Sequence, residues 1–221
     1  GLWVFVFILI GTLILFYFKS IYTNSTELSI AENSTFNFSR LDFDSHSILK
    51  LHGEVEFYYD TLLTPNDFHQ QVVPVPSGTL KIPGNWNDFK IGSETINGYG
   101  KGTYRFEINV PEKGSYGLKL KEVKSAYNLW VNNEYIGGAG IVSDEKQGMI
   151  PSRNRKEFYF ISESKRIEVI IQVSNFHHHK GGATETIIFG TSQNLINYKN
   201  TQVGIDVFIF GIKSDSFSIL D

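Results

Sequence analysis

Along residues 103–110 the side chains alternate: Tyr104, Phe106, Ile108 and Val110 are apolar, and Thr103, Arg105, Glu107 and Asn109 between them are polar. Successive side chains of a strand point to opposite faces, so period two is what a sheet with one face on a core and the other toward water requires. The same alternation runs through residues 54–59, 127–131 and 166–173, and shorter β-rich runs occupy 157–161 and 186–189. Turn chemistry separates them at Pro83-Gly84, Asn97-Gly98, Pro111 to Gly114, Asn132-Asn133, Gly137-Gly138 and Gly181-Gly182. Strands joined by such turns, with no long helical period between them, predict an all-β domain, an antiparallel β-sandwich of jelly-roll type. The Asn132-Asn133 pair fits a two-residue hairpin loop, because Asn tolerates positive φ.

The N-terminus follows a different rule. Residues 2–18 (LWVFVFILIGTLILFYF) carry no charge and Lys19 closes the run; at about 1.5 Å rise per residue such a helix just reaches the lower limit for crossing a bilayer core. One N-terminal transmembrane helix, an anchor over residues 1–19, is therefore expected ahead of the β-domain. A cleaved signal peptide is the rival, disfavoured because no small-x-small cleavage site follows in FKSIYTNS. Residues 20–47 shift to Ser, Thr, Asn and single charges without a sustained period and read as a polar linker, residues 48–190 as the β-domain, and residues 191–221 as a membrane-proximal segment. Within that last segment VGIDVFIFGI (203–212) is apolar but too short to span alone.

Charge and composition narrow the function classes. With 20 basic and 23 acidic residues the net charge is −3, which gives no global field to draw the domain to a phosphate backbone, so nucleic acid is not an expected partner. The absence of cysteine removes disulfides, thiolate metal sites and thiol nucleophiles. There is no Gly-x-Ser-x-Gly elbow, no phosphate loop and no His-Glu-x-x-His helix. A glycosidase needs two carboxylates at a set separation, and no feature pairs any two here. No enzyme, cofactor or metal is expected.

The segments GEVEFYYDTLLTP (53–65), KIPGNWNDF (81–89), GYGKGTYRFEINVP (98–111), SAYNLWVNNEYIGGAG (125–140) and IIQVSNFHHHKGG (170–182), taken in that order, resemble the extracellular jelly-roll (galactose-binding-like) sensor domain of bacterial seven-transmembrane receptors with diverse intracellular signalling modules. More distantly they resemble the sugar-binding domain of β-galactosidase-type glycoside hydrolases. The resemblance departs at Val55, where the receptors often have Trp, and at Asn132-Asn133, where they have Asn-Gly. It implies an extracytoplasmic (periplasmic or extracellular) domain that senses a small molecule, carbohydrate included, and passes the signal to downstream membrane and cytoplasmic modules. A carbohydrate-binding module of a hydrolase, and a non-catalytic adhesion or assembly domain, are the alternatives.

In jelly-roll modules of this kind the resemblance implies a ligand site on loops at one end of the sandwich or on its concave face. The candidates are Trp86, Tyr99, Arg105, Asn175, His177 and His179. Trp86 offers a ring to stack on a sugar, or equally a plug beneath a loop. Arg105 is either a solvated charge on the polar face of its strand or a hydrogen-bonding fork for a hydroxyl or carboxylate. Asn175 is a turn former or a polar contact. Of three consecutive histidines in an extended segment at most two converge, and no carboxylate lies within four residues, so His177 and His179 read as exposed loop residues before a metal site. Trp130, on the face opposite Tyr127, Leu129 and Val131, is expected to be more exposed than Trp86.

Overall fold

The computed structural model describes residues 2–23, 26–43, 48–87, 89–152 and 154–217, with side chains described for 3–14, 16 and, within those ranges, 29–204. Among these residues α1 (Leu2–Thr23) is followed by β1 (Thr26–Ala31), β2 (Thr35–Asn37), β3 (Ile48–Tyr59), a 3-10 turn (Pro65–His69), β4 (Gly78–Ile82), β5 (Lys90–Ile91), β6 (Glu94–Thr95), β7 (Gly100–Asn109), β8 (Gly114–Leu120), β9 (Ala126–Val131), β10 (Glu134–Ala139), β11 (Lys156–Ser162), β12 (Arg166–Asn175) and β13 (Ile187–Thr191), and α2 (Ser192–Phe217) closes the order.

The segments with period two fall on β3, β7, β9 and β12, with only Val110 lying just past the end of its strand. The hydrogen-bonded path runs β10-β9-β12-β7-β3-β13-β8-β11, and its two end strands lie beside one another. The result is a barrel-like sandwich, mostly antiparallel. The hairpin between β9 and β10 pairs Val131 with Glu134, with Asn132 and Asn133 at φ 47° and 73°; positive φ at both loop positions matches the right-handed twist of the flanking strands. Tyr104, Phe106 and Ile108 from β7, Leu129 and Val131 from β9, and Val169, Ile171 and Val173 from β12 enter one shared core. At its centre the Phe57 ring lies 5.0 Å from Tyr104 and 5.8 Å from Trp86.

Two features differ from the sequence expectation. Within residues 20–47, which read as a linker, β1 pairs in parallel with β3 and β2 in parallel with β7. Phe36 is fully buried edge-on to Phe106 at 5.6 Å, and Phe38 stacks on Phe189 at 6.1 Å. A three-residue strand is too short to show a period, so only the two aromatics at 36 and 38 signal it. The second difference is α2, which runs for 26 residues. Its first turns dock on the outer side of the sheet, where Leu195 and Tyr198 pack on Ile48 and Ile188. Glu157 pins that docking by accepting from Lys119 Nζ at 2.8 Å and pairing with Lys199 Nζ at 3.3 Å.

Among the described residues no helix is long and apolar enough to cross a membrane. The anchor expected at 1–19 falls partly on side chains outside those described.

Because Phe36 lies wholly inside the core, Phe36→Ala should lower the unfolding free energy by about 3–5 kcal/mol. Urea titration followed by tryptophan fluorescence checks this. A loss below about 1 kcal/mol, the scale of a surface substitution, would show that residues 35–38 do not pack on the barrel.

Candidate functional site

The two ends of the barrel differ in how their loops are used. At the end where β7 begins and β12 finishes, the loops are bonded to each other. Asn175 is fully buried, and its Nδ2 lies 2.6 Å from Gly98 O, 2.7 Å from His178 O and 3.1 Å from Lys180 O. An amide has two hydrogens, so three acceptors share them. Trp86 is fully buried as well, and its Nε1 donates to the same Gly98 carbonyl at 3.0 Å. Approach here is close enough that a Cβ on Gly98 would stand 2.1 Å from His179 O, so only glycine fits. The structure thus joins Trp86 and Asn175, but as scaffold: neither presents a surface to a ligand.

Tyr99, His177 and His179 lie at the same end and are exposed. The Tyr99 backbone N–H donates to Asn97 Oδ1. His179 stacks on His178 with centroids 4.5 Å apart. His177 and His178 border a small cavity of about 140 Å³ with Glu122, Lys124 and Ser125, where Lys124 Nζ lies 3.4 Å from His178 Nε2. That volume holds a few waters, well under the 300 Å³ or so of an organic-ligand pocket.

Arg105 stands apart from the other five, on the outer face of β7. The loop after β3 covers that face. Thr103 Oγ1 donates to Thr61 O at 2.7 Å and accepts from Leu63 N at 2.9 Å, and Gln172 Nε2 donates to Leu63 O at 3.0 Å. Leu63 and Phe68 pack there on Tyr58, Ile170 and the half-buried Trp130. Beneath the loop Arg105 Nε donates to Glu168 Oε1 at 2.8 Å, Nη1 pairs with Glu56 Oε2 at 3.2 Å, and the guanidinium lies 4.5 Å over the Phe68 ring. Burial opposes this charge, but the bond and field of Glu168, together with Glu56, outweigh it and hold Arg105 above its ordinary range. Tyr58 donates to Glu56 at 2.8 Å; burial first, then the bond and charge of Glu56, push its hydroxyl well above the usual phenol range.

Beside this network, at the opposite end from the histidines, a cavity of about 560 Å³ opens between the β9–β10 hairpin and the β11–β12 turn. Ile136, Phe160 and Ile161 give it apolar wall, and His69, Asn133 and Arg166 give it polar edge. His69 Nε2 lies 3.1 Å from Asn133 Oδ1, joining the loop to the hairpin. Asn132 turns the other way, accepting from Glu168 N at 2.9 Å and donating to Ser162 Oγ at 3.0 Å. Of the candidates taken from the sequence only Arg105 borders this space, through side-chain atoms already paired with Glu56 and Glu168. His69 and Asn133 were not among those candidates. The Asn-Asn pair was visible, but as a turn.

The sequence matches no family model and no curated protein. Solved structures do match. A β-glucuronidase from Ruminococcus gnavus in complex with D-glucuronic acid superposes over 68% of this chain and 32% of its own, with TM-score 0.51 and 10% identity. A β-glucuronidase from an uncultured Clostridium covers 68% and 30%, with TM-score 0.50 and 14% identity. A GH2 β-galacturonidase from Eisenbergiella tayi bound to galacturonate covers 70% and 26%, with TM-score 0.46 and 12% identity. The chain spans about a quarter to a third of the length of these enzymes. The two glucuronidases share the fold of one of their parts with this barrel.

These placements set the effect of two substitutions on the fold. Trp86→Ala should cost about 3–5 kcal/mol of stability, as for a fully buried ring. Arg105→Ala should cost about 1–3 kcal/mol, since it strips two carboxylates of their partner under a covering loop. Urea unfolding of both variants is the check; if both match the parent, these residues are not the scaffold described.

Proposed function

We propose that the β-domain is a non-catalytic binding module that takes a small polar ligand of the carbohydrate class into the cavity between the β9–β10 hairpin and the β11–β12 turn. One observation carries the reading. The cavity's volume of about 560 Å³ suits a mono- or disaccharide, and beside its apolar wall His69 Nδ1 and Asn133 Nδ2, atoms that the bond between these two side chains does not use, offer hydrogen-bonding edges to a hydroxylated ring. The shared fold with sugar-processing enzymes is compatible with this ligand class.

The binding test is calorimetric titration of the protein against a panel of neutral sugars and uronic acids. Asn133→Ala and His69→Ala should each weaken binding by roughly five- to tenfold, the loss of about 1–1.5 kcal/mol expected for one hydrogen bond. No binding to any member, or binding unchanged in both variants, would leave the adhesion or assembly reading ahead.

A second reading concerns where the module works. Along α1 the side chains of Trp3, Phe5, Phe7, Ile8, Leu13 and Phe16 are all exposed. A helix that leaves apolar rings and branched chains exposed in this way is suited to the lipid surface. We infer that α1 holds the β-domain at a membrane, extracytoplasmically, as part of a signal-transducing receptor; the order of the family-like segments supports that role. The chain should resist carbonate washing of membranes and partition with detergent, and release by carbonate would overturn the anchor.

A further inference from the structure

The chain is acidic overall, with a net charge of −3, yet one cleft of about 540 Å³ between β8, β11 and α2 is lined by five cations, Lys119, Lys121, Arg155, Lys156 and Lys199, against one carboxylate, Glu157. Burial alone would raise the Glu157 carboxyl, but bonds from Lys119, Tyr159 and Lys199 hold it below its ordinary range, so it stays charged and keeps two ammonium groups at 2.8 and 3.3 Å. Lys156 donates to the Gly138 carbonyl. Lys121 and Arg155 pair with no carboxylate among the described residues. One carboxylate cannot neutralise five cations, and the cleft retains a positive charge that calls for more than one anionic group.

Its place in the fold identifies the source of that anion. The α2 side of the cleft is formed by Tyr198, Lys199, Gln202 and Val203. Tyr198 is the last of the α2 side chains packed in the cluster with Ile188 on the sheet, and Val203 is already half exposed. From Val203 the same helix continues as VGIDVFIFGI, and α1 lies against α2. Cations flanking the start of an apolar helical run sit where headgroups lie, and tyrosine rings such as Tyr159 and Tyr198 favour the same depth. We propose that this cleft binds the phosphate headgroups of anionic phospholipids and so seats the β-domain on the membrane beside α2. The proposal rests on the membrane reading above for its setting.

Native mass spectrometry of the full chain in a neutral detergent, titrated separately with phosphatidylglycerol and phosphatidylcholine, tests it. Phosphatidylglycerol should be retained at roughly tenfold lower lipid concentration than phosphatidylcholine. The combined change Lys121→Gln, Arg155→Gln and Lys199→Gln should erase that preference with the circular dichroism spectrum unchanged; if the spectrum changes, Lys121→Gln alone, at a residue without an ion pair among the described residues, should still reduce it. Equal retention of the two lipids, or a preference that survives these variants, overturns the proposal. Displacement of phosphatidylglycerol by an equal concentration of glycerol 3-phosphate would overturn the lipid source in favour of a soluble phosphate. Carbonate release would fail the anchor reading but leave this measurement intact, since the lipid is offered in the micelle.

Discussion

The two layers of the barrel are held in one sheet by β3, whose twelve residues take different partners along their length. The first half lies between β1 and β13, and the second between β4 and β7. Passing from one layer to the other requires a local bend, and Gly53 stands at it with φ 138°. A Cβ there would lie 2.6 Å from the backbone nitrogen of Ala31, so both the angle and the close approach of β1 exclude other residues. Because Leu49 and Leu51 on one side of Gly53, and Val55 and Phe57 on the other, all enter the same core, the bend keeps the apolar face of a single strand directed inward through both layers.

The closed end and the open end of the barrel follow from how backbone groups are satisfied. At the histidine end the strands stop without tight hairpins, leaving long loops whose carbonyls need donors. Asn175, the Trp86 indole and the Asn87 amide supply them across the chain; Asn87 Nδ2, for one, donates to His179 O at 2.8 Å. Polar groups spent this way are lost to a ligand. At the other end β9 and β10 are joined by a two-residue hairpin whose Asn132 N–H donates to Glu168 O of β12 at 3.0 Å, so its short loop leaves a gap toward the β11–β12 turn. The cavity is the space this economy leaves.

The six alternating or β-rich runs read from the sequence fall on β3, β7, β9, β11, β12 and β13, overrunning them by a residue at Val110 and Thr186, while β1, β4, β8 and β10 gave no run that was read. What alternation does not say is what covers the second face. Arg105 occupies a polar position of a period-two strand, yet Thr103 and Gln172 on the same face anchor the covering loop and the guanidinium lies beneath Phe68. Polar spacing separates the core face from the other face; whether that other face meets water is a tertiary matter. The same limit applies to the site. Trp86 and Asn175 were singled out because they follow turns and are rich in hydrogen-bonding or aromatic surface, but those properties also suit a residue that ties loops together. His69 and Asn133 touch only because a loop from one part of the chain meets a hairpin 64 residues away, a contact with no local signature.

Charge shows the same gap between sum and arrangement. A net of −3 from 43 ionisable acidic and basic residues describes the chain seen from far away, beyond the roughly 8–10 Å over which salt leaves a field intact. Within that distance what counts is which strands are neighbours. Lys119 and Lys121 reach the same cleft as Arg155 and Lys156 because β8 pairs with β11, bringing Leu120 opposite Lys156. Lys199 joins them because α2 folds back over those strands. An antiparallel pairing and one helix dock thus turn five dispersed cations of an acidic chain into one positive surface, and a ligand arriving at contact distance meets that surface rather than the average.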